Sequence, residues 1–127
     1  MDFPRYYLLG PRPVKAVGRE DGGVSLSKLD MQTGRFVDGM DVAARVLSEK
    51  EDVDRLTEDQ FITEVETVRS RFPHPDGPLN ALYQLIRAAV APAELEGRAL
   101  TSDEFAFVSA IARQTHARFE ALLTAVP

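Results

Sequence analysis

Two stretches of the chain open helices in nearly the same words: Leu56-Thr57-Glu58-Asp59-Gln60-Phe61 and Leu100-Thr101-Ser102-Asp103-Glu104-Phe105. In each the Thr stands at the N-cap, and Gln60 or Glu104 three residues later closes a capping box. Leu and Phe then occupy the N′ and N4 positions of a hydrophobic staple. Asp and Glu in the first turn complement the partial positive charge of a helix N-terminus, so Glu58, Asp59, Asp103 and Glu104 have a local reason to be there. Two fixed helix starts commit the second half of the chain to helices of bounded length. Aligned at Phe61 and Phe105 the two helices agree in almost nothing further, which favours convergence on capping chemistry over duplication. A calcium loop is excluded as well. Counted from Asp30, Arg35 falls where the sharp turn needs glycine and Asp41 where the bidentate Glu belongs.

Ahead of these helices the chain reads as strands and turns. Tyr6-Tyr7-Leu8-Leu9 is a short apolar run, expected to send one Tyr ring inward and the other outward. Gly10-Pro11-Arg12-Pro13 stops it, and the two prolines are expected to forbid regular ladder pairing. Val14 to Val17 leads to the turn Asp21-Gly22-Gly23. Val24-Ser25-Leu26-Ser27-Lys28 alternates at the strand period, placing Val24 and Leu26 toward a core. Asp30-Met31-Gln32-Thr33-Gly34 then turns the chain, with Gly34 in the left-handed position, into Arg35-Phe36-Val37.

Asp41 is the expected cap of a short helix over Val42 to Leu47. Glu58 to about Phe72 carries Phe61, Val65, Val68 and Phe72 on one face. After the proline-rich break at 72–78, Pro78 is placed to begin a helix with the stripe Leu79, Leu82, Ile86 and Val90. Pro92 is expected to end or kink it, and Gly97 marks the turn that follows. The last helix, Ser102 to about Thr124, has the stripe Phe105, Val108, Ile111 or Ala112, Thr115, Phe119 and Leu122. These elements predict a single α+β domain over 1–127, strand-rich over 6–38 and helical over 41–125. Its N-terminal antiparallel meander of three to four short strands would be packed by three to four C-terminal helices.

Composition removes several function classes. The chain has no Cys, which excludes disulfides, thiolate catalysis and Cys-built zinc sites. The N-terminus lacks the charged-then-apolar pattern of a signal peptide. The weakly polar stretch from Leu79 to Leu95 is too short and too interrupted to span a bilayer. The expectation is therefore a cytoplasmic protein without a membrane partner. A net charge of −5 has the wrong sign for a nucleic-acid binder. The basic segment Arg5, Tyr6, Tyr7, Arg12, Lys15 and Arg19 is read as strand surface rather than as an RNA-stacking platform.

No catalytic, cofactor or metal set emerges. None of the serines sits in a Gly-x-Ser-x-Gly turn, and no glycine-rich phosphate cradle is present. His116 stands four residues before Glu120, the spacing of a helix-surface pair. His74 lies between prolines in a loop, where a rigid backbone would present its ring. Glu64 and Glu66 point to different sides of a helix, which argues against an acid/base pair.

The acids Glu49, Glu51, Asp52 and Asp54 precede the first capping box in what reads as a loop, and helix chemistry does not account for them. With Glu58 and Asp59 they form the candidate partner-binding set, a steering surface for a basic protein. The N-terminal half, through Tyr6-Tyr7, Pro13-Val14-Lys15, Asp21-Gly22-Gly23 and Leu29-Asp30-x-x-Thr33-Gly34-x-Phe36, resembles small bacterial immunity proteins encoded beside polymorphic or contact-dependent toxins. The resemblance covers residues 6 to 66 and rests on turn signals. It implies a protein-binding role and transfers no functional residue. The leading reading is thus a non-enzymatic binding domain that neutralises a more basic toxin partner. The alternatives are a small-ligand-binding domain or enzyme with a sheet–helix cleft near His74, and a self-associating subunit such as a homodimer.

Overall fold

The computed structural model describes residues 2–124, so the final residue of the expected helical segment 41–125 lies outside them. The chain is α+β. The elements run β1 (Arg5–Leu9), β2 (Arg12–Gly18), β3 (Val24–Leu29), β4 (Phe36–Asp38), a 3-10 turn (Met40–Val42) and α1 (Ala43–Leu47). They continue with β5 (Val53–Leu56), α2 (Glu58–Arg69), α3 (Gly77–Glu96) and α4 (Ser102–Thr124). Two compact units divide within α2, between Phe61 and Ile62.

The first unit is one antiparallel sheet of order β4-β3-β2-β1-β5, five strands where the sequence reading expects three to four. The extra strand is β5, drawn from the stretch read as an acidic loop. Pro13 does not break the ladder. It pairs with Leu8 across β1 and β2, while the β2–β3 ladder begins one residue later, at Val14, so the missing N–H falls outside it. Both turns form as their residues dictate. Asp21 and Asp30 each accept a hydrogen bond from the backbone N–H two residues on, and Gly22 and Gly34 have φ of 87° and 74°. Tyr7, Val14, Ala16, Leu26, Val46 and Val53 form the core of this unit. Tyr6 lies on the opposite face, its ring 4.7 Å from that of Phe61.

Asp41 does not cap a helix as expected. Its carboxylate holds Lys28 Nζ at 2.8 Å, and the chain enters α1 through the 3-10 turn, where no side chain caps. The two capping boxes do form. Thr57 N–H donates to Gln60 Oε1 at 2.9 Å and Gln60 N–H to Thr57 Oγ1 at 3.2 Å. At the second start the distances are 2.8 and 3.2 Å for Thr101 and Glu104.

In the second unit α3 and α4 pack together. Leu79, Tyr83, Ile86 and Val90 meet Val108, Ile111, Ala112 and Phe119, with Ile62 and Leu82 partly buried against them. Phe72, Leu82 and Phe105 are half-buried and Leu122 exposed, while every other residue of the three expected stripes is buried. The second helix stops at Arg69 rather than Phe72. Asp76 caps α3 by accepting from Leu79 N–H at 2.9 Å, so the helix begins at Gly77, one residue ahead of the expected Pro78. Pro92 stays inside α3, which ends at Gly97 in the left-handed conformation.

Candidate functional site

The six candidate acids gather around β5. The helix α1 ends at Leu47 and Ser48, and Glu49 follows with φ of 50°, the left-handed conformation that glycine usually fills at a helix end. A side chain there costs about 1 kcal/mol. The chain then reverses, with Val53 N–H donating to Lys50 O at 2.8 Å. Gly10 N–H donates to Asp52 O at 3.0 Å and starts the pairing of β1 with β5. Asp54 therefore stands in a strand, opposite Leu8, and not in a loop.

The acids differ in what they touch. Asp52 forms an ion pair with Arg45 of α1, and Glu49 lies 4.0 Å from the Arg55 guanidinium. Glu58 Oε2 accepts from the Tyr6 hydroxyl at 3.0 Å. Partial burial, followed by this bond and the Glu58 charge, raises the Tyr6 phenol above its ordinary range. Asp59 is also engaged. Glu51 and Asp54 are exposed and make no hydrogen bond or ion pair among the described residues. So two of the four acids read as unexplained, Glu49 and Asp52, stand beside local bases, and the other two, Glu51 and Asp54, keep their charge to themselves. An open hollow of about 640 Å³ lies alongside, lined by Arg45, Lys50, Glu51 and Asp52.

A second constellation, in the helical unit, was missed by sequence reading. Glu66 and Arg69 of α2 are both fully buried and bonded at 2.9 Å. Glu66 Oε1 accepts from the Tyr83 hydroxyl at 2.6 Å, and Glu66 Oε2 lies 3.1 Å from His116 Nδ1. Arg69 Nη2 also reaches Glu120 at 3.1 Å, and its guanidinium carbon sits 3.8 Å from the centre of the Phe119 ring. Burial pushes the Glu66 carboxyl up. The His116 hydrogen bond, the Arg69 charge and the bonds from Tyr83 and Thr115 outweigh it and hold the group below the usual carboxylate range. Burial, then the Glu66 charge, drives the Tyr83 phenol up.

An ionised Glu66 fixes the tautomer of His116, since its Nδ1 must carry the proton it donates. The 3.5 Å approach of Arg69 Nη1 to the same nitrogen then joins two donors and is no hydrogen bond. His116 is thus not the surface partner of Glu120, as the four-residue spacing suggests; Arg69 takes Glu120. His74 is spent on packing. Its Nε2 lies 3.0 Å from Arg69 O, and its ring stands 4.6 Å from Tyr83 and 5.7 Å from Phe119. Glu64 is exposed and Glu66 buried, on different sides of α2 as expected.

Among the described residues no group of three or more His, Asp or Glu is placed to hold a metal ion, and no helix is long and apolar enough to cross a membrane. Set beside known proteins, the chain matches no family model, no curated protein and no solved structure.

Proposed function

We propose that this chain is a non-enzymatic protein-binding domain of the bacterial cytoplasm that takes up a more basic protein, as an immunity protein takes up its toxin. The observation that carries the reading is the surface around β5. Glu51 and Asp54 stand exposed and unpaired there, within a stretch of six acids and three bases from Arg45 to Asp59. Charges of this kind at the rim of a contact mainly raise the association rate and reject like-charged competitors. Glu49 adds to the support, because an acid occupies a left-handed position that glycine would fill with less strain.

The test is capture of partners from the native host by the wild-type chain and by a Glu51→Lys/Asp52→Lys/Asp54→Lys variant whose fold is verified by circular dichroism. A basic protein retained by the wild type and lost from the variant is the expected result. Equal retention of the same protein by both would remove the proposed surface.

A second reading rests on the Glu66–His116 pair, since a carboxylate on Nδ1 is the arrangement that orients an imidazole as a general base. A hydrolytic activity that disappears in His116→Ala, with thermal stability unchanged, would replace the binding reading.

A further inference from the structure

We propose that the outer edge of β5 receives an extended, basic segment of the partner as a sixth strand of the sheet. The inference rests on the binding reading above and specifies how the partner is held. It begins from the alternation of bonded and non-bonded pairs in an antiparallel ladder. Gly10 N–H donates to Asp52 O, so Gly10 and Asp52 form a hydrogen-bonded pair. The register then makes Leu8 with Asp54 and Tyr6 with Leu56 bonded pairs, and Leu9 with Val53 and Tyr7 with Arg55 non-bonded ones. The main-chain groups of Val53 and Arg55 therefore point away from β1, and β5 is the last strand on that side.

The Val53 N–H is used within the turn, on Lys50 O. The Val53 carbonyl and both polar groups of Arg55 meet no protein partner among the described residues. Asp54 and Arg55 are exposed, while Val53 is a buried residue. Three such groups make a template for strand addition, in which main-chain bonds supply affinity and alternate side chains supply selectivity.

Charge decides the occupant. A second copy bonding through Arg55 and Val53 would place its two-fold axis on Asp54. The two Asp54 carboxylates would then face each other in a non-bonded pair, where side chains approach most closely. Like charges directly opposite are destabilising, and a Lys or Arg there is favourable. Glu51, exposed in the turn that feeds the strand, extends the same preference. The edge selects against itself and for a basic strand.

The experiment titrates the full chain with acetyl-(Lys-Val)3-amide and follows amide shifts by NMR. Two control peptides are acetyl-(Glu-Val)3-amide and the lysine peptide N-methylated at its valines. Methylation keeps the charge and removes the N–H groups on the edge whose lysines would face Asp54. Two protein variants accompany them. Asp54→Lys reverses the charge. Arg55→Pro deletes an N–H that no ladder bond uses, and its fold is checked by circular dichroism. Shifts centred on β5 and β1 are expected, with binding weakened about tenfold by valine methylation and by Arg55→Pro, and about threefold or more by Asp54→Lys.

Binding that depends on charge but ignores methylation overturns strand addition and leaves the binding reading standing. Shifts lying elsewhere, or no binding at millimolar peptide, also overturn strand addition. Equal binding of the lysine and glutamate peptides removes both.

Discussion

The buried Arg69 is the residue on which the helical unit turns. Its guanidinium has exchanged water for Glu66, Glu120 and the face of Phe119. A buried pair of this kind roughly balances desolvation against attraction, yet removing one member leaves an uncompensated charge behind. Arg69→Met should therefore destabilise the chain by about 3–5 kcal/mol. Glu66→Gln/Arg69→Met, which removes both charges, should recover much of that loss. Urea unfolding of the two variants checks this, and a double variant no more stable than the single one would contradict the balance described. Only the Glu66–Arg69 pair, three residues apart on α2, has a local spacing. The other bonds join residues 17 to 51 positions apart, and no local periodicity encodes such a contact. Tyr83 was passed over for a similar reason, since its hydroxyl gains a partner only when α2 and α3 are brought together.

At the scale of elements, what is local was readable and what depends on a neighbour was not. Both capping boxes close with the residues the spacing names, because donor and acceptor lie three residues apart on one turn. Thr57→Ala and Thr101→Ala should each cost about 1 kcal/mol, while Thr→Ser at either position should cost little. Chemical denaturation gives the energies, and faster amide exchange at Gln60 or Glu104 locates them. The second start has an extra brace, since Arg98 grips both oxygens of Glu104 at 2.8 and 3.2 Å. For this reason Glu104→Ala should loosen the turn between α3 and α4 as well as the cap, whereas Gln60→Ala should affect its cap alone. The strand β5 escaped notice because its middle residues, Asp54 and Arg55, are charged, leaving only Val53 and Leu56 to signal it. An edge strand can carry charge at its centre because only one side of it is paired. Of the acids read as a loop, Asp54 marks the edge of the sheet, while Glu49, Glu51 and Asp52 do lie in the turn that leads to it.

Across the whole molecule the perturbed carboxyls are unevenly shared between the two units. Glu66, Asp76, Glu94 and Glu104 all lie in the helical unit, and all are held below their ordinary values. The Arg118 fork at 2.8 and 2.9 Å, with the cap bond from Leu79, lowers Asp76; hydrogen bonds from Arg87 and then Arg71 lower Glu94. The Arg98 bond lowers Glu104 furthest, to about 2. In the sheet unit Asp21 and Asp41 are lowered too, and like Glu94 both are exposed, which leaves Glu66 as the one buried carboxyl of the six. For a carboxyl whose folded value is depressed, the unfolded chain binds more protons as pH falls below the ordinary value. The stabilisation is thus complete above about pH 4.5 and is withdrawn as pH descends toward the folded values. Glu66 weighs most in this, because it is buried and its protonation breaks the charge balance with Arg69 as well as its bond to His116. Acid should therefore loosen the helical unit first. Between pH 5 and pH 3, amide exchange in α2 beyond Phe61 and in α3 and α4 should accelerate before that of β1 to β3, and Glu66→Gln should flatten the pH dependence of the helical signal. Exchange that rises uniformly across both units, or first in the sheet, would show that the buried pair does not govern the acid limit of the fold.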